Sequence, residues 1–271
     1  MSTKSRVLTL TECSIMIALS TVLSVLKIFE MPYGGSITLA SMLPIVIIAY
    51  RHGTRYGLAS AGVTAVIQML LGLKNFSYFT SPASFIALAV FDYVLAFLVF
   101  GLAGIFKRSI KNQSTSVLTG ALLASVLRYI CHVISGATVW AGLSIPTEAA
   151  LLYSLSYNAT YMLPETLITV LTAVYLTSSL DFRAAVPVRI KRKSQDIVCF
   201  GLIFAAATVV LGALIADVVL VFSKLQSYDG EFIINGLASV NWLAVSIVSA
   251  AAILLSLPLF LIARSRAKSA A

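Results

Sequence analysis

The stretch that decides the fold is Ala83–Phe106, ASFIALAVFDYVLAFLVFGLAGIF, where one charged residue, Asp92, interrupts an almost wholly apolar run. At a rise of about 1.5 Å per residue, a helix of this length crosses a hydrocarbon core of about 30 Å. In lipid, backbone polar groups must be satisfied within helices or a closed barrel. The run is long and lacks the alternation typical of barrel strands. It therefore predicts a membrane-spanning helix that carries a carboxylate.

Similar runs recur along the chain, so the sequence predicts an all-α integral membrane protein with about eight spans. Of the 271 residues, 59% are hydrophobic and 11% are charged, whereas about 25% are charged in soluble domains. The second run is short and contains Pro44, which predicts a kinked or partly re-entrant helix shielded by its neighbours. The first run is too long for a signal peptide and lacks a small-x-small cleavage site, so we interpret it as a retained span. The expected spans are Val7–Phe29, Thr38–Tyr50, Tyr56–Leu73, Ala83–Phe106, Ser116–Val139, Ala149–Leu176, Val198–Phe222 and Val240–Ile262.

The basic residues predict the orientation. If the N-terminus is cytoplasmic, fifteen Lys and Arg residues fall on the cytoplasmic face, and Lys27, Lys74 and Lys224 fall on the other. Arg128 alone lies inside a span. This asymmetry predicts a protein of the cell membrane with both termini inside. The net charge of +9 therefore marks a membrane face and does not indicate a nucleic-acid partner.

The segment Thr177 to Asp196 is the clearest internal boundary, because it holds two charge clusters and Pro187 between apolar runs. We predict a six-helix core over 1–180, a basic cytoplasmic linker over 181–197 and a two-helix transmembrane extension of unknown role over 198–271. Cys13, Cys131 and Cys199 are scattered and form no disulfide or zinc spacing, so neither a metal nor a cofactor is expected. The sequence contains no phosphate-binding Gly-rich loop that ends in Lys and Ser or Thr.

Charged residues at membrane depth are candidates for function, because burying them there is costly. Asp92 and Arg128 lie roughly 13 and 16 Å into their spans, so the two side chains could meet. Two interpretations stay open at this point: a buried ion pair that only orders the bundle, or part of a ligand site.

Two rows of polar residues favour a ligand site. Arg128, His132, Gly136 and Trp140 recur every fourth residue, so they share one face of the fifth predicted helix. Gly136 leaves room for a planar ligand to approach the backbone. The sixth predicted helix places a second row on one side: Ser154, Asn158, Tyr161 and Glu165.

These residues describe an outward-facing pocket with a carboxylate, aromatic faces and several hydrogen-bonding groups. Each aromatic face attracts a desolvated cation by about 0.5 to 2 kcal/mol. We interpret Thr160 and Glu165 as polar repair of the backbone next to Pro164. The pocket suits a flat organic cation.

Several segments resemble the ThiT (YuaJ) family of thiamine transporters. They are Leu127–Gly136 (LRYICHVISG) with Trp140, Tyr153–Tyr161 (YSLSYNATY), Met31–Ser36 (MPYGGS), Pro44 and Asp92–Tyr93. The resemblance covers roughly Leu8 to Leu180. It implies a six-helix substrate-binding S component of an energy-coupling-factor (ECF) vitamin importer, to which this chain adds two helices.

The resemblance also implies roles for individual residues. Asp92 would counter the thiazolium or bind the aminopyrimidine, Trp140 and His132 would stack, and Tyr93, Tyr153 and Asn158 would hydrogen-bond the ligand beside Gly136. Some family members cover the ligand with a loop tryptophan, whereas the corresponding loop here offers Tyr33, Gly34 and Gly35. Ser14 and Ala18 match small residues that dock on the coupling subunit, although close helix packing explains such a pair equally well.

The implied partners are thiamine, a transmembrane coupling protein and two ATPase subunits that supply the energy. The pyrimidine precursor of thiamine shares one of its rings, so the sequence does not separate these two ligands. The alternative is a stand-alone secondary transporter in which Asp92 and Asp217 couple ion movement to uptake. An intramembrane enzyme lacks any supporting motif, so no catalytic residue is expected.

Overall fold

The fold is taken from a computed structural model, which describes residues 3–31, 34–141, 150–190, 194–225 and 234–269. The chain divides into two compact units, residues 1–188 and 189–271. Most described residues are helical, and the described strands are short.

The first unit is a helical bundle with a β-hairpin after its first helix. The hairpin strands β1 and β2 pair antiparallel, with Lys27 opposite Thr38 and Glu30 opposite Ser36. Its elements are α1 Thr3–Val25, β1 Lys27–Glu30, β2 Ser36–Thr38, α2 Leu43–His52, α3 Thr54–Leu71, the short α4 Leu73–Phe76, α5 Pro82–Lys107, α6 Gln113–Thr138, α7 Ala150–Ser179 and the two-residue strand β3 Leu180–Asp181.

Helix α5 is irregular along its length. Ser81 caps its start, because the Ser81 hydroxyl accepts a hydrogen bond from the Ser84 backbone N–H at 3.3 Å. The helix begins as an α-helix, widens into a π-helix over Ala89–Leu95 and tightens into a 3₁₀-helix over Val99–Lys107. The π-helical turns contain Asp92, and such turns are frequent at functional sites.

Helix α2 lies at the centre of the first unit. Each of its residues from Leu43 to Tyr50 is buried. Helix α5 approaches it at backbone distance, because a Cβ added to Gly104 would lie 2.1 Å from the Ala49 carbonyl oxygen. Helix α6 approaches α5 as closely, because a Cβ added to Gly120 would lie 2.1 Å from the Ala103 carbonyl oxygen. Small residues at such crossings allow helices to pack closely in a membrane.

Arg51, at the end of α2, ties α1 to the segment after α7. Its guanidinium pairs with both carboxylate oxygens of Glu12 and donates to the carbonyls of Phe182 at 2.6 Å and Ala184 at 3.2 Å. Gln113 holds the same segment by accepting from the Phe182 N–H at 2.8 Å. These contacts fix the end of the first unit opposite the hairpin.

The second unit contains two long apolar helices joined through a short 3₁₀-helix. Asp217 on the first of them accepts a hydrogen bond from Ser249 on the second at 2.7 Å. Its described helices are α8 Ser194–Phe222, the 3₁₀-helix Ile234–Ser239 and α9 Trp242–Ser269, and the two-residue strand β4 Val188–Arg189 contains the boundary between the units.

The prediction of an all-α membrane protein is confirmed, since six described helices are long and apolar enough to cross a membrane. They lie within α1, α5, α6, α7, α8 and α9. Helix α3 matches the third predicted span to within two residues at each end. The membrane extension formed by α8 and α9 stays a prediction. The cytoplasmic location of both termini also stays a prediction.

Two predicted spans have different bounds in the structure. The first was expected to run to Phe29, but α1 ends at Val25 and residues 27–30 form β1. The second was expected to begin at Thr38, but Thr38 lies in β2 and α2 begins at Leu43. Pro44 lies in the first turn of α2, where its missing N–H costs nothing, so it does not kink the helix. At ten residues α2 is about 15 Å long, too short to cross a bilayer.

Candidate ligand-binding cavity

The first unit encloses a cavity of about 550 Å³ beneath the β1–β2 hairpin. Side chains from α1, the hairpin, α3, α4, α5, α6 and α7 line it. The structure brings together every residue predicted to bind ligand. Those residues are Asp92, Tyr93, His132, Gly136, Trp140, Tyr153 and Asn158.

Of the three residues predicted for a lid, Gly34 and Gly35 line the cavity, and Tyr33 lies outside the described residues. Gly34 has a φ of +99°, a conformation that glycine adopts without strain. A Cβ at Gly35 would lie 2.9 Å from the Tyr161 ring. The hairpin therefore approaches the cavity wall at backbone distance.

Asp92 lies in the wall of the cavity, and both of its carboxylate oxygens accept hydrogen bonds. Oδ1 lies 3.0 Å from Nδ1 of His132, and Oδ2 accepts from Nε1 of Trp140 at 2.9 Å. The donors come from α6 and from the residues just after it, so the carboxylate links α5 to α6. These contacts leave further lone pairs on both oxygens for a ligand.

Aromatic rings lie in and beside the same cavity. The rings of Tyr153 and Tyr157 are stacked with centroids 6.2 Å apart, and Tyr161 meets Tyr157 edge-on at 5.8 Å. Phe79 meets the Trp140 ring edge-on at 4.9 Å. Such faces favour planar and cationic groups.

Tyr93 is positioned by the turn between α3 and α4. Its hydroxyl donates to the Gly72 carbonyl at 3.1 Å and accepts from Asn75 Nδ2 at 3.0 Å. Its ring stacks on Phe76 at 5.4 Å. A Cβ at Gly72 would lie 2.1 Å from the Tyr93 hydroxyl oxygen, so only glycine allows this approach.

Asn158 joins α7 to α6 and holds Tyr161. Its Nδ2 donates to the Ser154 carbonyl at 2.9 Å and the His132 carbonyl at 3.3 Å, while its Oδ1 accepts from the Tyr161 hydroxyl at 2.6 Å. The face predicted on this helix is confirmed, because Ser154, Asn158, Tyr161 and Glu165 are all buried.

The similar depths of Arg128 and Asp92 had suggested that their side chains could meet. In the structure Arg128 does not pair directly with Asp92. Its Nη1 donates to Glu165 Oε2 at 3.2 Å, and its Nε donates to His132 Nε2 at 3.2 Å. The guanidinium also lies 4.9 Å from the centroid of the Phe97 ring. In the described part of the chain, Arg128 thus reaches Asp92 through His132.

Glu165 is part of the cavity, and its interpretation as backbone repair was wrong. Its Oε1 accepts from the Thr38 hydroxyl at 2.6 Å, so the carboxylate connects the hairpin to Arg128. The Thr160 hydroxyl donates to the Tyr157 carbonyl at 2.6 Å and not to the carbonyl that Pro164 leaves free, which is that of Thr160 itself, so backbone repair by Thr160 stays a prediction.

The two carboxylates that line the cavity, Asp92 and Glu165, differ in charge compensation. Glu165 is paired with Arg128, and both side chains are about nine-tenths buried, at 8% and 12% exposure. Among the described residues, the hydrogen bonds of Asp92 come from an imidazole and an indole. A cationic ligand beside Asp92 would offset the cost of burying that charge.

The predicted docking pair lies away from the cavity. Ser14 and Ala18 are both exposed on α1, and the Ser14 hydroxyl donates to the Leu10 carbonyl at 3.0 Å in its own helix. Asp217, named for ion coupling in the alternative, belongs to the second unit.

The model of the family described as "Thiamine transporter protein (Thia_YuaJ)" matches residues 10–183. The chain belongs to this family. A curated relative, "Thiamine transporter ThiT" of Bacillus subtilis (strain 168), is 32% identical over an alignment of 191 residues, and the match covers 66% of this chain and 95% of the relative. A solved structure of ThiT from Listeria monocytogenes has a similar fold, with a TM-score of 0.52 at 24% identity over 63% of this chain and 93% of that one.

The family match ends before residue 189, so it lies within the first unit, where every cavity-lining residue also lies. Sequence reasoning missed several of those lining residues, notably Thr38, Gly72, Asn75 and Tyr157. Asn75 and Gly72 fall in the turn between two apolar runs, a usual place for binding residues. Thr38 had no comparable signal, because its role depends on the hairpin that brings it to Glu165.

Proposed function

We propose that the chain is a thiamine-binding membrane subunit and that thiamine occupies the cavity beneath the hairpin. The observation that carries the proposal is Asp92, a carboxylate held by an imidazole and an indole in a cavity with aromatic side chains, in a family of thiamine transporters. Thiamine joins a flat aminopyrimidine to a permanently cationic thiazolium, so it matches both properties of this wall.

The role of each lining residue follows from the hydrogen-bonding groups and ring faces that its contacts within the protein leave available to a ligand. Asp92 faces the ligand with the remaining lone pairs of both oxygens, and Trp140 and His132 offer ring faces on either side of it. Tyr93 and Tyr153 contribute phenols. Asn158 uses both amide hydrogens within the protein, so it can offer the ligand only the second lone pair of its Oδ1.

Cavity size supports the same ligand class. A volume of about 550 Å³ falls within the range of about 300 to 1,000 Å³ typical of small-molecule sites. The hairpin and its two glycines cover the cavity, which supports a role for Gly34 and Gly35, with Tyr33, in closing over the ligand.

We further propose that the chain captures thiamine outside the cell and releases it inside when docked on an ECF module. Such a module consists of a transmembrane coupling protein and two ATPase subunits. The sequence has no Gly-rich ATP loop of its own, and binding alone would not drive uptake against a gradient. The exposed pair Ser14 and Ala18 on α1 leaves room for a closely packed partner helix. The charge asymmetry supports an orientation with both termini inside.

Two experiments test these proposals separately. Native mass spectrometry of the purified protein should detect a bound mass equal to that of thiamine, and persistent absence of that mass after incubation with thiamine would contradict the binding site. Uptake of labelled thiamine in cells should stop when the coupling and ATPase subunits are deleted. Uptake that continues without them, or uptake by this chain alone in proteoliposomes under an ion gradient, would favour a secondary transporter.

A further inference from the structure

A chain of hydrogen bonds runs from the hairpin through the base of the cavity to Asp92. Ser41 and Thr38 hydroxyls lie 2.8 Å apart, Thr38 donates to Glu165, Glu165 accepts from Arg128, and Arg128 contacts His132, which contacts Asp92. Only its last members, His132 and Asp92, belong to the set predicted to touch ligand. The earlier members need another role.

The direction of the hydrogen bonds decides the protonation of His132. An arginine Nε always carries a hydrogen and cannot accept, so the contact of Arg128 Nε with His132 Nε2 at 3.2 Å requires an unprotonated Nε2. The other ring nitrogen, Nδ1, must then carry the hydrogen and donate to Asp92 Oδ1 at 3.0 Å. One contact thus fixes the tautomer that the other contact needs.

The groups that face His132 come from three helices. Asp92 faces it from α5, Arg128 from its own helix, and Tyr161 from α7 with ring centroids 6.4 Å apart. Glu165 faces Arg128 and compensates its charge. With neutral His132, Asp92 keeps an uncompensated negative charge, whereas an imidazolium would compete with a cationic ligand for it.

We propose that Arg128 and Glu165 are positioning residues, which hold His132 as the neutral Nδ1–H tautomer and thereby keep Asp92 oriented and available to a cationic ligand. This inference rests on the proposed thiamine site for its effect on affinity. The tautomer itself is a property of the ligand-free protein.

The direct test is nitrogen NMR of protein labelled with ¹⁵N-histidine, without ligand. The chain contains two histidines, and the His52→Gln variant assigns the remaining ring signals to His132. We expect a protonated-type shift for Nδ1 and an unprotonated-type shift for Nε2 in the wild-type protein. A protonated Nε2, in either the neutral or the cationic ring, would overturn the proposal without reference to thiamine.

Variants test the positioning role. In Arg128→Met the signals should shift toward a mixture that includes protonated Nε2, and thiamine affinity should fall by about 10- to 100-fold. Glu165→Gln should cause a smaller loss, because Gln can still accept from Arg128. Ser125→Ala, a change at a buried serine less than one turn from Arg128, is the matched control and should leave the tautomer and the affinity unchanged.

A double-mutant cycle separates positioning from general destabilisation. If Arg128 acts through His132, then Arg128→Met should cost far less affinity in a His132→Ala background than in the wild type. Equal losses in both backgrounds would overturn the proposal. If the Arg128 variant does not fold, the wild-type tautomer and the Glu165→Gln affinity still decide the question. Failure of the wild-type protein to bind thiamine would remove the proposed function and leave the tautomer assignment to its own measurement.

Discussion

Replacing Asp92 with asparagine should remove most of the affinity for thiamine while preserving the shape of the cavity. In the structure the carboxylate has an imidazole and an indole as its partners, so its charge remains available to a cation. At a separation of about 5 Å and an effective dielectric constant of about 20, a carboxylate and a cation attract each other by about 3 kcal/mol. Loss of that attraction corresponds to a weakening of roughly 150-fold in Kd.

The substitution should also lower the melting temperature slightly. Asparagine has one oxygen, so its NH₂ group must face either Nε1–H of Trp140 or Nδ1–H of His132, and one of these donors loses its acceptor. Such a loss costs about 1 to 3 kcal/mol in the folded protein. This cost arises in the ligand-free protein, so it affects stability more than affinity.

Isothermal titration of thiamine into the detergent-solubilised variant measures the change in affinity. The matched control is Asp181→Asn, which removes a carboxylate paired with Arg183 at 3.1 Å outside the membrane-spanning helices. The control should bind within about twofold of the wild type, since surface ion pairs contribute about 0 to 1 kcal/mol even to stability. An Asp92→Asn variant that binds within threefold of the wild type would refute the electrostatic role of Asp92.

Three further variants test other parts of the account. Gly72→Ala places a Cβ 2.1 Å from the Tyr93 hydroxyl oxygen and should weaken thiamine binding about tenfold by displacing that ring; unchanged titration curves would show that Tyr93 moves freely. Arg51→Gln breaks the pair with Glu12 and the contacts to the Phe182 and Ala184 carbonyls, and should destabilise the fold by about 2 to 4 kcal/mol, measured by denaturation in detergent. Asp217→Asn alters the hydrogen bond from Ser249 in the second unit and should leave thiamine affinity and module-dependent uptake unchanged. A selective loss of ion-driven uptake would instead support the secondary transporter.

Hydropathy predicted the long helices well, because lipid imposes one requirement on every residue of a span. The expected span Ala83–Phe106 differs from α5 by one residue at each end. The β1–β2 hairpin was missed since its first strand, Lys27–Glu30, follows α1 directly and contributes only four residues. A run this short does not separate helical from strand periodicity.

The cavity was predicted from two rows of polar residues at helical spacing, and all seven ligand-binding candidates line it. The ion pairing was harder to predict. Depth along a helix gives the height of a side chain but not its direction around the bundle, so Asp92 and Arg128 at similar heights need not meet. The π-helical turns of α5 also change the direction of Asp92 in a way that its sequence does not reveal.

Direct titration of the purified wild-type protein with thiamine tests the central claim most directly. The account predicts saturable binding of one thiamine per chain, with tryptophan fluorescence in a Trp242→Phe background changing in parallel because Trp140 then reports alone from the cavity. Absence of saturable binding by folded protein, or binding that leaves Trp140 fluorescence unchanged, would contradict the proposed site.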